Sequence, residues 1–264
     1  MKIDHKESFP DFGEQFTKDS NIDGYWGSVE LLKDIVNPFN LNEIKDKKIM
    51  EIGVGSGRIS NNLLKFHPKI LYGIEPSKAI EVAKKNIKSN KIKLINSKGE
   101  DLNFLNEIDY VFSLGVIHHI PNYEKVLQKI YDSLKPGGKF IIWVYGKEGN
   151  ELYLFIFNNL RRLTTYLPDF FLRIISHIIN LVTYVYGFLC KFFNLPLRKY
   201  FIELFNKCSF EKRSYIIFDQ LNPSYSKYFT KDELHEVLKK TNFTNIKIIN
   251  RHGYSHTAIA EKRA

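Results

Sequence analysis

The sequence predicts a doubly wound α/β domain, built on a seven-stranded, mostly parallel sheet and carrying one helical insertion. Three observations predict it. Between Lys48 and Tyr145, short apolar runs alternate with helix-like runs, as in a sheet covered by helices on both faces. The first apolar run passes through Gly53, Gly55 and Gly57 straight into a helix-like segment. After a long stretch that breaks the rhythm, the chain ends in the order helix, strand, turn, strand.

Residues 1–45 precede the sheet. Phe12-Gly13-Glu14-Gln15-Phe16 and Tyr25-Trp26-Gly27 set aromatics ahead of an amphipathic run over 28–36. These aromatics pad the first helices or form a flap over a cationic ligand, since an aromatic face stabilises a cation by about 0.5–2 kcal/mol. Strands are expected at 48–52, 70–75, 92–96, 108–114 and 139–145, each rich in Ile, Val, Leu, Tyr or Phe, as for strands buried on both faces. Helices fit 58–66, 77–89 and 122–134, the last stopped by Lys135-Pro136-Gly137-Gly138 before a turn.

Residues 150–226 form the insertion. Within 170–193 the residues Arg173, Ser176, His177, Asn180, Thr183, Tyr184, Gly187 and Lys191 recur every three or four positions. They read as one solvated polar stripe on a helix with a wide apolar face. The stripe interrupts every window long enough for a membrane span. Three covers remain open for the apolar face: the active-site pocket, a second copy in a homodimer, or a membrane surface touched peripherally through 170–193. The expected arrangement is a cap over the acceptor pocket. After it, Thr230 and Glu233 spell a capping box, and strands at 245–250 and 255–261 close the sheet as an antiparallel hairpin. His252, Tyr254 and His256 read as strand and turn residues. The units are thus 1–45, a core over 46–149, the insertion over 150–226 and the closing elements over 227–264.

The chain of 264 residues is 44% hydrophobic with a net charge of +10; it can bury a core, and global disorder is excluded. The lysines are scattered among Asn and Ile, with no basic block interleaved with aromatics, so no nucleic-acid partner is expected. Cys190 and Cys208 have no metal-ligand spacing, and no metal is expected. The first residues lack the apolar run of a signal peptide. A cytoplasmic location is the simplest expectation.

The chemistry concentrates at carboxyl ends of strands. Glycines allow a sharp turn and close approach of a ligand to the backbone. Glu51 stands two residues before the first of them, where it would repel a pyrophosphate and suit an amino group or sulfonium. Arg58 opens the helix behind the loop. Glu75 ends the second strand about twenty residues on, where a carboxylate grips ribose hydroxyls in such folds. Ser113 and Leu114 end the fourth strand, and His118-His119 follow at its rim. Histidine accepts protons near neutral pH, so one of the pair is the candidate base; loop-shaping by hydrogen bonds is the alternative.

Loop, upstream acid and strand-end acid together resemble class I S-adenosylmethionine-dependent methyltransferases. The resemblance sharpens at Gly115-Val116-Ile117-His118-His119, Leu134-Lys135-Pro136-Gly137-Gly138 and 143–149, and covers residues 12–149, with a weaker echo at Phe218-Asp219-Gln220-Leu221-Asn222-Pro223. The subgroup is often associated with sugar or surface-polysaccharide modification. The resemblance implies S-adenosyl-L-methionine held by Glu51, Gly53, Gly55, Gly57, Arg58, Glu75, Ser113 and Leu114. It places Glu100 and Asp101 at the adenine ring. It also implies methyl transfer to an oxygen or nitrogen of a small-molecule, sugar or lipid-linked acceptor. Two other readings compete. A nicotinamide-dependent oxidoreductase needs its third glycine one position later; a non-catalytic membrane-surface protein would work through 150–205.

Overall fold

The computed structural model describes residues 13, 15–17, 24–164, 167–221 and 225–264. Phe12 and Glu14 of the early aromatic motif, and Asn222 and Pro223 of the late one, lie outside them.

Helix α1 (Val29–Val36) precedes the sheet, its first turn capped by the Ser28 hydroxyl, which accepts from the Leu31 amide. Then come β1 (Lys48–Ile52), α2 (Arg58–Leu64), β2 (Ile70–Ile74), α3 (Ala79–Asn86), β3 (Ile92–Ile95), β4 (Ile108–Leu114), α4 (Tyr123–Ser133) and β5 (Leu134–Tyr145). The insertion contributes α5 (Glu151–Thr164), α6 (Asp169–Leu189), α7 (Arg198–Glu203) and α8 (Phe210–Leu221). Helix α9 (Lys231–Lys240) and strands β6 (Phe243–Arg251) and β7 (Ser255–Lys262) complete the fold.

The seven strands run in the order β3-β2-β1-β4-β5-β7-β6. Strands β1 to β5 pair in parallel, and β7 is antiparallel to both neighbours. This is the expected doubly wound sheet with a closing hairpin. From β1 the chain winds outward through β2 and β3, then returns to lay β4 on the other side of β1. The carboxyl ends of β1 and β4 therefore flank the point where the winding reverses, the crevice in which ligands bind in open α/β sheets. Ile49, Met50, Val111 and Phe112 are wholly buried at this centre.

The capping box is present: Thr230 Oγ1 accepts from the Glu233 amide, and the Glu233 carboxylate accepts from the Thr230 amide. Strand β5 departs from expectation. It starts at Leu134, directly after α4, so Lys135-Pro136-Gly137-Gly138 is an irregular strand start. Pairing with β4 shifts register between Ile108 and Tyr110, which absorbs the proline and the positive φ of 74° at Gly137.

The insertion differs more. Ser176, Asn180 and Gly187, three members of the polar stripe, are buried. Asn180 Nδ2 donates to the Phe210 carbonyl and to Ser214 Oγ, each at 2.7 Å. The row therefore splits: Asn180 faces inward onto α8, with Ser176 and Gly187 buried on the same side, while His177, Tyr184 and Lys191 stay exposed. The apolar side, Phe171, Ile174, Ile178, Val182, Val185 and Leu189, is exposed and covers no pocket. A backbone carbonyl and a hydroxyl on α8 supply partners that a hydropathy pattern cannot anticipate.

Arg251, at the end of β6, is buried beside Asp34 of α1. Burial alone would raise the Asp34 carboxyl, but the hydrogen bond from His252 and the Arg251 charge outweigh it and hold the group below its ordinary range. A depressed carboxylate stabilises the fold above its unfolded pKa, and the contribution fades as pH falls through the folded value. Asp34→Ala leaves Arg251 without its carboxylate and is expected to cost about 3 kcal/mol at neutral pH. Urea unfolding should show the gap between parent and variant closing below about pH 4.

Candidate active site

Three elements shape the cradle after β1. Gly53 has φ +78°, and a Cβ there would lie 2.4 Å from a Val116 methyl, so the loop after β1 passes against the loop after β4 with no room for a side chain. Gly55 has φ +55° and lies under the Phe16 ring. Its amide donates to Glu75 Oε2 at 2.9 Å. The other Glu75 oxygen accepts from the Ser77 amide at 3.0 Å and the Ser77 hydroxyl at 2.6 Å. Glu75 is thus buried, oriented and tied to the loop at once.

Glu51 is buried at the mouth of the loop and accepts a short hydrogen bond from Ser60 Oγ. Burial pushes its carboxyl up to about 8, against the pull of the Ser60 hydroxyl and the Arg58 charge. Arg58 donates to the Trp26 carbonyl at 2.9 Å and stacks its guanidinium 4.7 Å above the Trp26 ring.

A cavity of about 230 Å³ joins these groups to the insertion. It is lined by Glu51, Gly53, Gly55, Arg58, Glu75 and Glu100 from the core and by Tyr200, Tyr215, Ile216, Asp219 and Gln220 from the insertion, with Tyr254 from the turn between β6 and β7. Phe16, Trp26, Leu114 and His119 also line it.

The remaining predicted residues fall elsewhere. Gly57 caps α2 in the left-handed conformation and packs against Ile87; it is not among the lining residues. Asp101 is exposed, on the far side of the short turn that brings Glu100 to the wall. Ser113 is wholly buried one residue below Leu114, because successive side chains of a strand point to opposite faces.

The two histidines separate in the same way. His118 is wholly buried, and neither ring nitrogen has a hydrogen-bond partner. Its ring sits 4.1 Å from that of His119 and 4.5 Å from that of Tyr145. Burial, then the neighbouring His119, hold it well below the ordinary imidazole range. It faces packed aromatics and not the cavity, which removes it as a candidate base. His119 lines the cavity, with Nδ1 3.0 Å from the Tyr225 carbonyl. A carbonyl only accepts, so Nδ1 carries the proton and Nε2 is the basic nitrogen.

Asp219 was not picked out from the sequence. It accepts from Gln15 Nε2 at 2.9 Å, and burial pushes its carboxyl up to about 6. Its signal was present in the echo at 218–223, where an acid follows Phe218. The tyrosines 200, 215 and 254 carried no signal, since they reach the cavity from segments far apart in the chain. Among the described residues no group of three or more His, Cys, Asp or Glu side chains is placed to hold a metal.

The methyltransferase-domain family model matches residues 50–142, the stretch from β1 through β5 that builds this cradle. The chain carries a class I S-adenosylmethionine-dependent methyltransferase domain. That domain is similar to phosphoethanolamine N-methyltransferase 2 of Caenorhabditis elegans, 54% identical over 46 residues, which are 17% of this chain and 10% of that protein. It is also similar to tRNA U34 carboxymethyltransferase of Helicobacter acinonychis, 31% identical over 128 residues, 46% of this chain and 48% of that one. The matches thus span a tenth and about half the length of these curated relatives. Among solved structures, phosphoethanolamine N-methyltransferase 2 of Haemonchus contortus, in complex with phosphomonomethylethanolamine and S-adenosylhomocysteine, aligns with a TM-score of 0.57. The identity is 16%, and the alignment covers 97% of this chain and 60% of that chain. At that identity the likeness is one of fold.

The residues fit the cofactor of such a domain. The cradle has no space for a Cβ at Gly53, two buried carboxylates lie beside it, and Ile52, Val54, Pro76 and Val126 provide apolar walls.

Proposed function

We propose that this chain transfers a methyl group from S-adenosyl-L-methionine to a nitrogen or oxygen of a small molecule or head group held at the insertion end of the cavity. One observation carries this reading: a single cavity is lined by the glycine loop and Glu75 and by Tyr200, Tyr215 and Asp219, so donor and acceptor share one space. When bound, the donor supplies a methyl group already activated by the sulfonium. Glu51 takes its amino end, Glu75 the ribose hydroxyls, and Glu100 with Pro76 and Val126 the adenine. The chain then has two tasks, to align the acceptor and to take its proton. Alignment contributes roughly 7–11 kcal/mol in favourable cases, and His119 Nε2 is the base.

A small acceptor suits a wall of tyrosines with one carboxylate better than a polynucleotide, whose phosphates need a basic groove. Aromatic rings with Asp219 favour an acceptor carrying an amine. Incubation with labelled donor, separately with amine-bearing small molecules, a lipid extract and tRNA, tests this reading. Label entering only tRNA would overturn the small-molecule assignment.

A proton count tests the role of Glu51. With its carboxyl pushed up to about 8, Glu51 is mostly protonated at neutral pH, and pairing with a cationic ligand requires the ionised form. Cofactor binding at pH 7 is therefore expected to release about one proton, with affinity rising toward pH 8. Titration calorimetry in two buffers of different ionisation enthalpy reads this directly. Identical enthalpies would show that Glu51 does not meet the donor's charge.

A further inference from the structure

Helix α6 buries part of its polar row and exposes its apolar face. Ser176, Asn180, Gly187 and Cys190 are buried against the rest of the insertion. The opposite side carries Ile178, Val182 and Val185, exposed at 56%, 67% and 59%, with Phe171 at one end and Phe188 and Phe192 at the other. These positions fall on one stripe at helical spacing. No described side chain covers them, and a continuous apolar face of this length is not left in water.

The charge of the segment indicates what covers it. From Phe170 to Ile202 the chain contains Arg173, Lys191, Arg198 and Lys199, with Asp169 and Glu203 the acids that bound this stretch. Lys191 and Lys199 are exposed. Lys191 Nζ lies 6.0 Å from the Phe188 ring, so a cation stands beside the aromatics at the end of the stripe. Apolar face, terminal aromatics and flanking lysines are the composition of a helix lying in an anionic lipid interface. Against the expectation that the polar stripe interrupts every spanning window, Phe170–Leu189 is long and apolar enough to cross a bilayer. Its inner row, however, is hydrogen-bonded to α8 through Asn180, so the helix lies along the surface.

We propose that α6 docks this protein flat onto an anionic membrane through its outward apolar face, with Lys191 and Lys199 at the head groups. Helix α8 carries α6 on one side and lines the cavity with Tyr215, Ile216 and Asp219 on the other, so docking would set the acceptor end of the cavity one helix from the lipid surface. The inference concerns binding alone and does not depend on the transfer reaction.

Co-sedimentation of the full chain with phosphatidylcholine vesicles, with and without phosphatidylglycerol, tests it. The expected result is pelleting with the anionic vesicles, weakened by salt. Lys191→Gln and Lys199→Gln should each lower partitioning about fivefold. Ile178→Asp with Val182→Asp should abolish it while leaving calorimetric cofactor affinity and the melting temperature at parental values, which separates lost docking from lost folding. Equal binding to neutral vesicles would overturn the lipid selection. Absence of binding, together with a solution dimer that the double Asp variant dissociates, would assign the face to a second copy and overturn the proposal.

Discussion

Replacing Glu75 by alanine is expected to weaken S-adenosylmethionine binding about a hundredfold or more. The carboxylate has two jobs in one place. It accepts from the Gly55 amide and from both donors of Ser77, and it faces the cavity where the ribose hydroxyls are expected. Hydrogen bonds to a charged group are worth about 1.5–3 kcal/mol each, so losing two ribose contacts alone removes two to four powers of ten. Loss of the tie to Gly55 adds to this by releasing a loop that must hold positive φ at Gly53, Gly55 and Gly57. Glu75→Gln is the companion variant. It keeps the volume but points an amide toward one of the donors, so it should fall between parent and alanine. Calorimetry on variants whose melting remains cooperative measures the effect. Parental affinity in the alanine variant would sink the cofactor assignment.

The second large effect is kinetic. His119→Ala is expected to bind cofactor normally and to turn over at least about a hundredfold more slowly, the usual range for loss of a positioned base. The sign of the pH dependence follows from the neutral imidazole being the active form: the parent loses rate as pH falls, and the variant lacks that acid limb. Asp219, pushed up to about 6 and facing the same cavity, could produce a similar limb. Asp219→Asn is therefore the necessary comparison: if it alone removes the limb, Asp219 is the base. His118→Ala should leave the profile of kcat against pH in place and lower stability, because it opens a hole between His119 and Tyr145. A parental rate in His119→Ala would leave alignment as the sole contribution of this side of the cavity.

Much of the architecture was legible in the chain because it depends on local chemistry. Buried strands of a parallel sheet have to be runs of apolar residues, and β1 and β4 fall at the predicted bounds. Glycines at 53, 55 and 57 are required where the backbone adopts φ values that a side chain disfavours. The capping box at Thr230 and Glu233 is a pattern closed within four residues. Glu75 could be found because its place is set by the end of one strand.

Tertiary structure alone decided the rest, wherever a residue's role depends on which neighbour it meets. His118 and His119 are indistinguishable as letters. The turn after β4 buries one among aromatic rings and presents the other to the cavity. Ser113 and Leu114 separate by strand alternation, Glu100 and Asp101 by the rotation of a single short turn. Asp219 becomes a site residue because α8 packs its inner face over the carboxyl edge of the sheet, more than 150 residues after the glycine loop. The placement of α6 is the clearest case. A helix with a polar row and an apolar face is ordinarily placed polar side to water, and the sequence by itself supports nothing else. The Phe210 carbonyl and the Ser214 hydroxyl offered the Asn180 amide its hydrogen bonds inside the protein, and an amide that finds its partners there no longer needs water. That exchange turned the apolar face outward.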